Sequence, residues 1–404
     1  MGRGLAVAVV ASSHWLRRRW AGVVTCLSLL GWAPSIGADE AAFDASKLLG
    51  DAPGLRLRSL SFRVTGYQQD GRGYQSRAGR RGAPGSERAT IFEPQLAIEA
   101  TQGPRLTHRL WVPVDIVTAA SPDAIDVVSS ASRKNEAATV DWATQYRATP
   151  SLNLGIHAGI HLEEIWRTWQ VGATVSQKLA EDNATISFAA STIFDWFDAY
   201  TLAGAKTGLS RRASSTGAIS FEQVLSPTTI AEASYGLTFQ DGTLGNNWNV
   251  VPLQGGSFIT ELLPRARRRH AVVARVAQAL PSNAAIKLYY RTYADDWSIV
   301  ARTVEAQLLR RVLPVLTLGI GYRYHRQSSA AFFVTGAADA ADAAQRTADS
   351  DLAALDTQAV DVRASFDIPR SASGALHFDI SYERYWRSND LEANVVSCAT
   401  VLSF

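Results

Sequence analysis

The sequence predicts an all-β chain: a single transmembrane antiparallel β-barrel of about 16 strands, with short periplasmic turns and longer extracellular loops. Three observations carry that prediction. Segments of roughly ten residues alternate apolar with polar side chains, the period of a strand with one oily face. No internal apolar run reaches the length a membrane helix needs. The chain ends in such a segment, Val395 to Phe404 (VVSCATVLSF), in which Leu402, Thr400, Cys398 and Val396 oppose the smaller, mixed set Ser403, Val401, Ala399 and Ser397. A terminal strand is an exposed sheet edge unless a partner covers it, and only a closed sheet satisfies its backbone in lipid.

The chain has 404 residues, 47% of them hydrophobic, with 29 Gly, 11 Trp and 12 Tyr. Aromatics of this abundance suit the two interfacial girdles of a membrane barrel. A formal net charge of +3 leaves no nucleic-acid footprint. Arg17, Arg18 and Arg19 precede the short apolar run Ala21 to Gly31 and then small residues. That order reads as a signal peptide over residues 1–38, followed by a periplasmic lead-in over 39–54 and the barrel over 55–404. With Cys26 removed, Cys398 has no internal disulfide partner.

Taken in order, Leu55 to Gln68 is the first strand, with Leu60, Phe62 and Val64 alternating against Ser61, Arg63 and Thr65. Asp70 to Glu87 lacks an apolar period and reads as a loop. Phe92 to Thr101 and Leu106 to Val117 follow; Pro94 and Pro113 cannot donate to a ladder and predict local defects or bulges. In the second of these, Arg109 and Asp115 sit on the polar face, which suits a wet lumen better than a dry core. After a loop, Thr118 to Ala138, come Thr139 to Ala148, Leu152 to Glu163, Trp166 to Gln177 and Ala184 to Ile193. Asp195 to Thr216 reads as a loop, Gly217 to Leu225 and Ala231 to Gln240 as a hairpin, and Asp241 to Arg265 as another loop. Ala271 to Leu280, Ala285 to Tyr293, Ile299 to Arg310 and Val315 to Gln327 are the next strands. Ser328 to Ala354 is an Ala/Asp-rich loop with helix propensity, and Asp356 to Ile368 and Leu376 to Tyr382 lead to the terminal strand. Connections after even-numbered strands are all short, as expected when both termini lie in the periplasm. A secreted sandwich would also alternate, but its polar set would carry more Lys and Glu than the Gly, Ser, Thr, His, Asp and Arg found here.

The candidate site residues are the polar residues expected to line the lumen: Arg109, Asp115, His157, His161, Glu163, Arg323, His325, Asp361, Arg363, Asp367, His377 and Asp379. His157 and His161 share a strand face but stand about 13 Å apart by the strand rise, so they do not form a metal pair by themselves. The acidic loop lacks the spacing of a calcium loop, and no metal ligand set, phosphate cradle, nucleotide fingerprint or catalytic residue is identified. No cofactor is expected. Asp295-Asp296-Trp297 reads as a tight outer turn in which an Asp bonds its own backbone and Trp297 sits at the membrane interface. Arg265, Arg267, Arg268 and Arg269, where a loop enters a strand, are placed to meet lipopolysaccharide phosphates or carboxylates across the mouth.

Several of these stretches resemble a bacterial family, domain of unknown function 3570. They are Asp115 to Val127 (DIVTAASPDAIDV), Phe221 to Leu225, Pro264 to His270, Tyr290 to Ile299 (YRTYADDWSI) and Tyr322 to Phe332 (YRYHRQSSAAF). Ala119-Ala120 stands where the family has a Ser-Gly pair, and Arg302-Thr303 where it has a His-Thr-like pair. The resemblance implies an outer-membrane barrel of a Gram-negative bacterium and supplies no activity. The function expected from the residues is a pore or transport channel for small polar solutes. The alternatives are a structural or assembly barrel with a loop-filled lumen, and a barrel-embedded hydrolase acting on lipid or glycan. Expected partners are outer-membrane lipid and lipopolysaccharide, and the barrel-assembly machinery through the strand ending in Phe404; no nucleic acid is expected.

Overall fold

The structure, a computed structural model, describes residues 54–71, 89–118, 134–201, 205–245, 249–254, 257–334, 343–369 and 374–404. The expected signal peptide, and the lead-in apart from Gly54, lie outside the described residues. The strands are β1 (Leu55–Gly71), β2 (Ala89–Gln102), β3 (Leu106–Thr118), β4 (Lys134–Arg147), β5 (Leu152–Leu162), β6 (Trp166–Leu179), β7 (Ala184–Tyr200), β8 (Lys206–Ser226) and β9 (Thr229–Gly242). They continue with β10 (Val250–Pro252), β11 (Phe258–Thr260), β12 (Ala266–Leu280), β13 (Ala284–Asp295), β14 (Val300–Leu313), β15 (Leu316–Gln327), β16 (Leu355–Pro369), β17 (Ala375–Arg387) and β18 (Leu391–Ser403).

Sixteen of these, all but β10 and β11, form one closed antiparallel barrel. Closure is made by β1 and β18, with Leu60 opposite Leu402, Phe62 opposite Thr400 and Val64 opposite Cys398. No edge is left in the main sheet, which meets the requirement of a lipid environment. The oily register faces outward: Ile156, Ile160, Trp169, Val171, Val304, Leu308, Leu318, Ile320 and Val362 are all exposed. An apolar belt of this extent is a membrane-facing surface. The opposite register faces the lumen and carries the polar set.

Two expectations about element bounds are corrected. The loop expected over Asp195 to Thr216 is mostly strand, because β7 continues to Tyr200 and β8 begins at Lys206. Paired polar side chains there, Thr192 with Ser215 at 3.0 Å and Lys206 with Asp198 at 2.5 Å, replace the apolar period above the lipid belt. The Arg run Arg267 to Arg269 belongs to β12 itself, so its side chains alternate between wall faces. Pro94 and Pro113 interrupt the ladders beside β3, the local defects expected of them, without a register shift; the register shifts fall elsewhere, between Leu57 and Ser59 and between Arg311 and Leu313 among others. Among the described residues of the Ser328 to Ala354 loop, helical structure is one 3-10 turn, Ser350–Leu352; residues 335–342 lie outside the described residues.

Candidate functional site

The inner wall is built by alternation. On β14 to β17 the inward register sets Glu305 opposite Arg323, Gly321 opposite Asp361, Gly319 opposite Arg363, and Asp361 opposite Glu383. Oppositely charged neighbours neutralise each other across the ladder: Arg323 donates to Glu383 at 2.9 Å, and Arg363 lies 3.7 Å from Asp379, which also accepts from Ser365 at 2.7 Å. Gly321 has a structural reason, since a Cβ there would collide with the Asp361 carboxylate folded across it. Glu305, Arg323, Asp361, Arg363 and Glu383, with Gln307 and Ser381, line a recess of 210 Å³. His377 meets Asp367 at 2.8 Å nearer the periplasmic end, and His325 meets Thr303 at 2.8 Å toward the outer end.

On β3 to β6, Arg109 is exposed and paired in register with Glu99. The His157 ring lies over Gly172, and Asp141 accepts from Gln170. His161 bonds Thr139 at 2.8 Å and lies 3.7 Å from Glu163, which stands in the turn just after β5 rather than on the strand as expected. Asp115 is paired with Ala137 on β4. The structure therefore divides the sequence-derived set between two stretches of wall: Arg109, His157, His161 and Glu163 on one, and Arg323, His325, Asp361, Arg363, Asp367, His377 and Asp379 on the other.

Two buried clusters lie near the outer end; the first was not anticipated from the sequence, and the second is built on the turn that was. In the first, Asp195 of β7 accepts from Trp166 Nε1 at 3.1 Å, Thr168 Oγ1 at 2.7 Å and Arg212 Nε at 2.8 Å. Trp166 stacks on Phe197 with centroids 4.1 Å apart. The only sequence signal for this cluster lay in a stretch read as loop. In the second, Asp295 has a fully buried side chain, at 0% exposure. Its Oδ2 accepts from Arg267 Nε at 2.9 Å, Arg267 Nη2 at 2.5 Å and Tyr293 OH at 2.7 Å; its Oδ1 accepts from the backbone N–H groups of Trp297 and Ile299 at 3.0 and 2.9 Å. Asp296 accepts from the Arg268 backbone N–H at 2.9 Å. The turn thus bonds its own backbone as expected, but Trp297 is only 4% exposed and not at the membrane interface. Its ring packs with Ile299, Ala330 and Leu352, beneath Arg267 at 4.2 Å.

Around that ring the outer loops fold together. Leu262 and Arg346 exchange backbone bonds of 2.9 Å, and the β10–β11 hairpin buries Val251 beside Ala348, Ile259 and Val334. The cap is held to the inner side of the rim: Gln327, on the lumenal register, donates to the carbonyls of Asp351 and Ala353, and Arg387 meets Asp351 at 2.5 Å. Within the cap, Asp349 accepts from Asn249 Nδ2 at 3.0 Å and from the Asp351 N–H at 2.9 Å. Burial, reinforced by the Asp351 charge, pushes its carboxyl up to about 6.

The family described as "Protein of unknown function (DUF3570)" matches residues 205–396, which bears out the resemblance over four of its five stretches, Asp115 to Val127 lying outside the match. No curated protein matches the chain. Among solved structures, the chain is similar to a bacterial polysaccharide outer membrane secretin at 7% identity and a TM-score of 0.45, covering 85% of this chain and 98% of that one. It is similar to the outer membrane protein opdK from Pseudomonas aeruginosa at 9% identity and 0.44, covering 86% and 98%. With the ferric enterobactin receptor PfeA of Pseudomonas aeruginosa, at 11% identity and 0.41, it covers 81% of its own length and 53% of the receptor, so it spans about half of that protein.

Proposed function

From a sixteen-stranded barrel whose residues 205–396 match that family, we propose an outer-membrane pore for small polar solutes, narrowed at its outer mouth by its own loops. The observation that carries this reading is the charged inner wall. An apolar lumen would exclude ions, and a dry one would leave these side chains at a heavy desolvation cost. At the other end of the wall a recess of 370 Å³ is lined by Arg58, Arg105 and Arg147 with Glu99, so the periplasmic mouth also offers charge to a passing solute.

The same reading has the wall meeting lipopolysaccharide. Arg302 and Arg326 lie directly opposite each other on the lipid-side register, and Arg268 lies over Phe239 at 5.4 Å. Like charges facing across a ladder repel, and a lipid phosphate between them relieves the repulsion. The terminal strand, ending with Phe404 bonded to the Arg58 carbonyl at 3.0 Å, is the segment offered to the assembly machinery.

The test is conductance of the purified chain in planar bilayers. Stepwise single-channel currents are expected; a flat trace at moderate voltage counts against the pore. The cap favours a second reading, a barrel closed by its loops. Trp297→Ala distinguishes the two, since a narrowed pore gains conductance modestly whereas a sealed one begins to conduct only in the variant.

A further inference from the structure

Asp295 and Asp195 share a property that leaves a third group stranded. Each carboxylate has both oxygens engaged: Asp295 accepts five hydrogen bonds and Asp195 three, and each already has its own arginine, Arg267 and Arg212. A carboxylate offers about four acceptor sites, so Asp295 has no room for a further cation. Yet Arg269 sits directly opposite Asp295 in the β12–β13 ladder and opposite Thr238 in the β9–β12 ladder. Its Nε is buried and has no hydrogen-bond partner among the described residues. The other cations within its electrostatic reach are Arg267 and Arg212. Three guanidinium groups therefore share two carboxylates, of which Asp295 is saturated and Asp195 already holds its own arginine, a locally positive, partly desolvated spot on the lumenal wall.

We propose that this spot is an anion subsite, with Arg269 as its primary ligand and a small carboxylate or phosphate as its occupant. The guanidinium holds its N–H donors in one plane, so an anion that displaces the side chains covering Nε meets a fork matching two of its oxygens. Partial desolvation strengthens that contact relative to one in open water. Neither neighbouring arginine is free to move away, because each is fixed by its own aspartate. The position, on the inner register close to the loop cap, puts the subsite where a solute entering the outer mouth first meets the wall. Its use in selecting solutes rests on the pore reading above; its existence does not.

Trp166 stands below Arg212 at 4.9 Å and Trp297 below Arg267 at 4.2 Å, so the full chain in detergent carries its own reporters. Titration with inorganic phosphate, and separately with succinate, should change tryptophan fluorescence saturably, and the stronger of the two identifies the preferred anion. Arg269→Ala should weaken the response at least tenfold, Arg269→Lys should keep part of it, and Arg275→Ala, which alters another β12 arginine, should leave it intact. Heat-modifiable gel mobility checks that each variant is a folded barrel. In bilayers under a potassium chloride gradient, Arg269→Ala should shift the reversal potential toward cation preference, and Arg275→Ala should shift it less. No saturable response in the wild type, or an unchanged response in folded Arg269→Ala, overturns the subsite. A wild type that titrates but does not conduct keeps the subsite and removes the pore, and one that conducts but does not titrate does the reverse.

Discussion

The Asp195 and Asp295 clusters use the same three residue types, an aspartate, an arginine and a tryptophan, toward different ends. Asp195 of β7 is bonded by side chains alone, drawn from β6 and β8, and so it staples three neighbouring strands of wall. Asp295 also takes two backbone N–H groups from the turn that follows it, and that turn delivers Trp297 into the core of the loop cap. One cluster braces the cylinder; the other couples the cylinder to what covers its mouth. The difference lies in where each acid sits along its strand. Asp195 lies within β7, where its neighbours' backbones are committed to ladders, whereas Asp295 ends β13, where the Trp297 and Ile299 N–H groups take the carboxylate in place of a ladder carbonyl.

Substitution separates the two clusters. Asp295→Ala removes a buried pair and strands Arg267, which should cost about 3–5 kcal/mol, read as the loss in guanidinium unfolding from detergent. Asp195→Ala should cost less, about 2–3 kcal/mol, because Arg212 is more exposed and can turn to water. Equal losses would contradict the distinction. Trp297→Ala should expose residues 257–265 and 343–353 to protease while leaving the barrel resistant, and Trp166→Ala should leave cleavage of those loops unchanged.

The smallest effect expected is in pH dependence. Because burial and Asp351 raise the Asp349 carboxyl from 3.8 to about 6 in the folded cap, the folded state binds its proton more tightly than the unfolded one. Its contribution to cap stability is therefore fully present below about pH 4 and is lost as pH rises through about 6. Hydrogen exchange in 343–353 should slow as pH falls from 7 toward 5, after correction for intrinsic rates, and Asp349→Asn should abolish that change.

The barrel was legible in the sequence wherever lipid enforces a period. Val315 to Gln327 shows Leu318, Ile320 and Tyr322 on one side and Gly319, Gly321 and Arg323 on the other, and its register obeys that split. Legibility failed where the outer face leaves lipid: Leu209, Arg211 and Ser215 of β8 keep no apolar rhythm, so a continuous hairpin read as loop. The Asp295 turn was legible because an Asp bonding its own backbone is a local device. The cap was not, since Asn249 meets Asp349 and Leu262 meets Arg346 only through the closed fold. Arg267 and Arg269 were visible as a basic run, but only the ladder shows which of its members turn inward.

One face of every barrel strand touches lipid and the other touches water. Single cysteines at Ala306 and Leu308, and at Glu305 and Gln307, in a Cys398→Ser background reconstituted in liposomes, test it most directly. Glu305 and Gln307 should react with a membrane-impermeant maleimide, while Ala306 and Leu308 should be reached only by a lipid-phase reagent. The opposite pattern, or equal labelling at all four positions, would contradict a wet-centred barrel in a membrane.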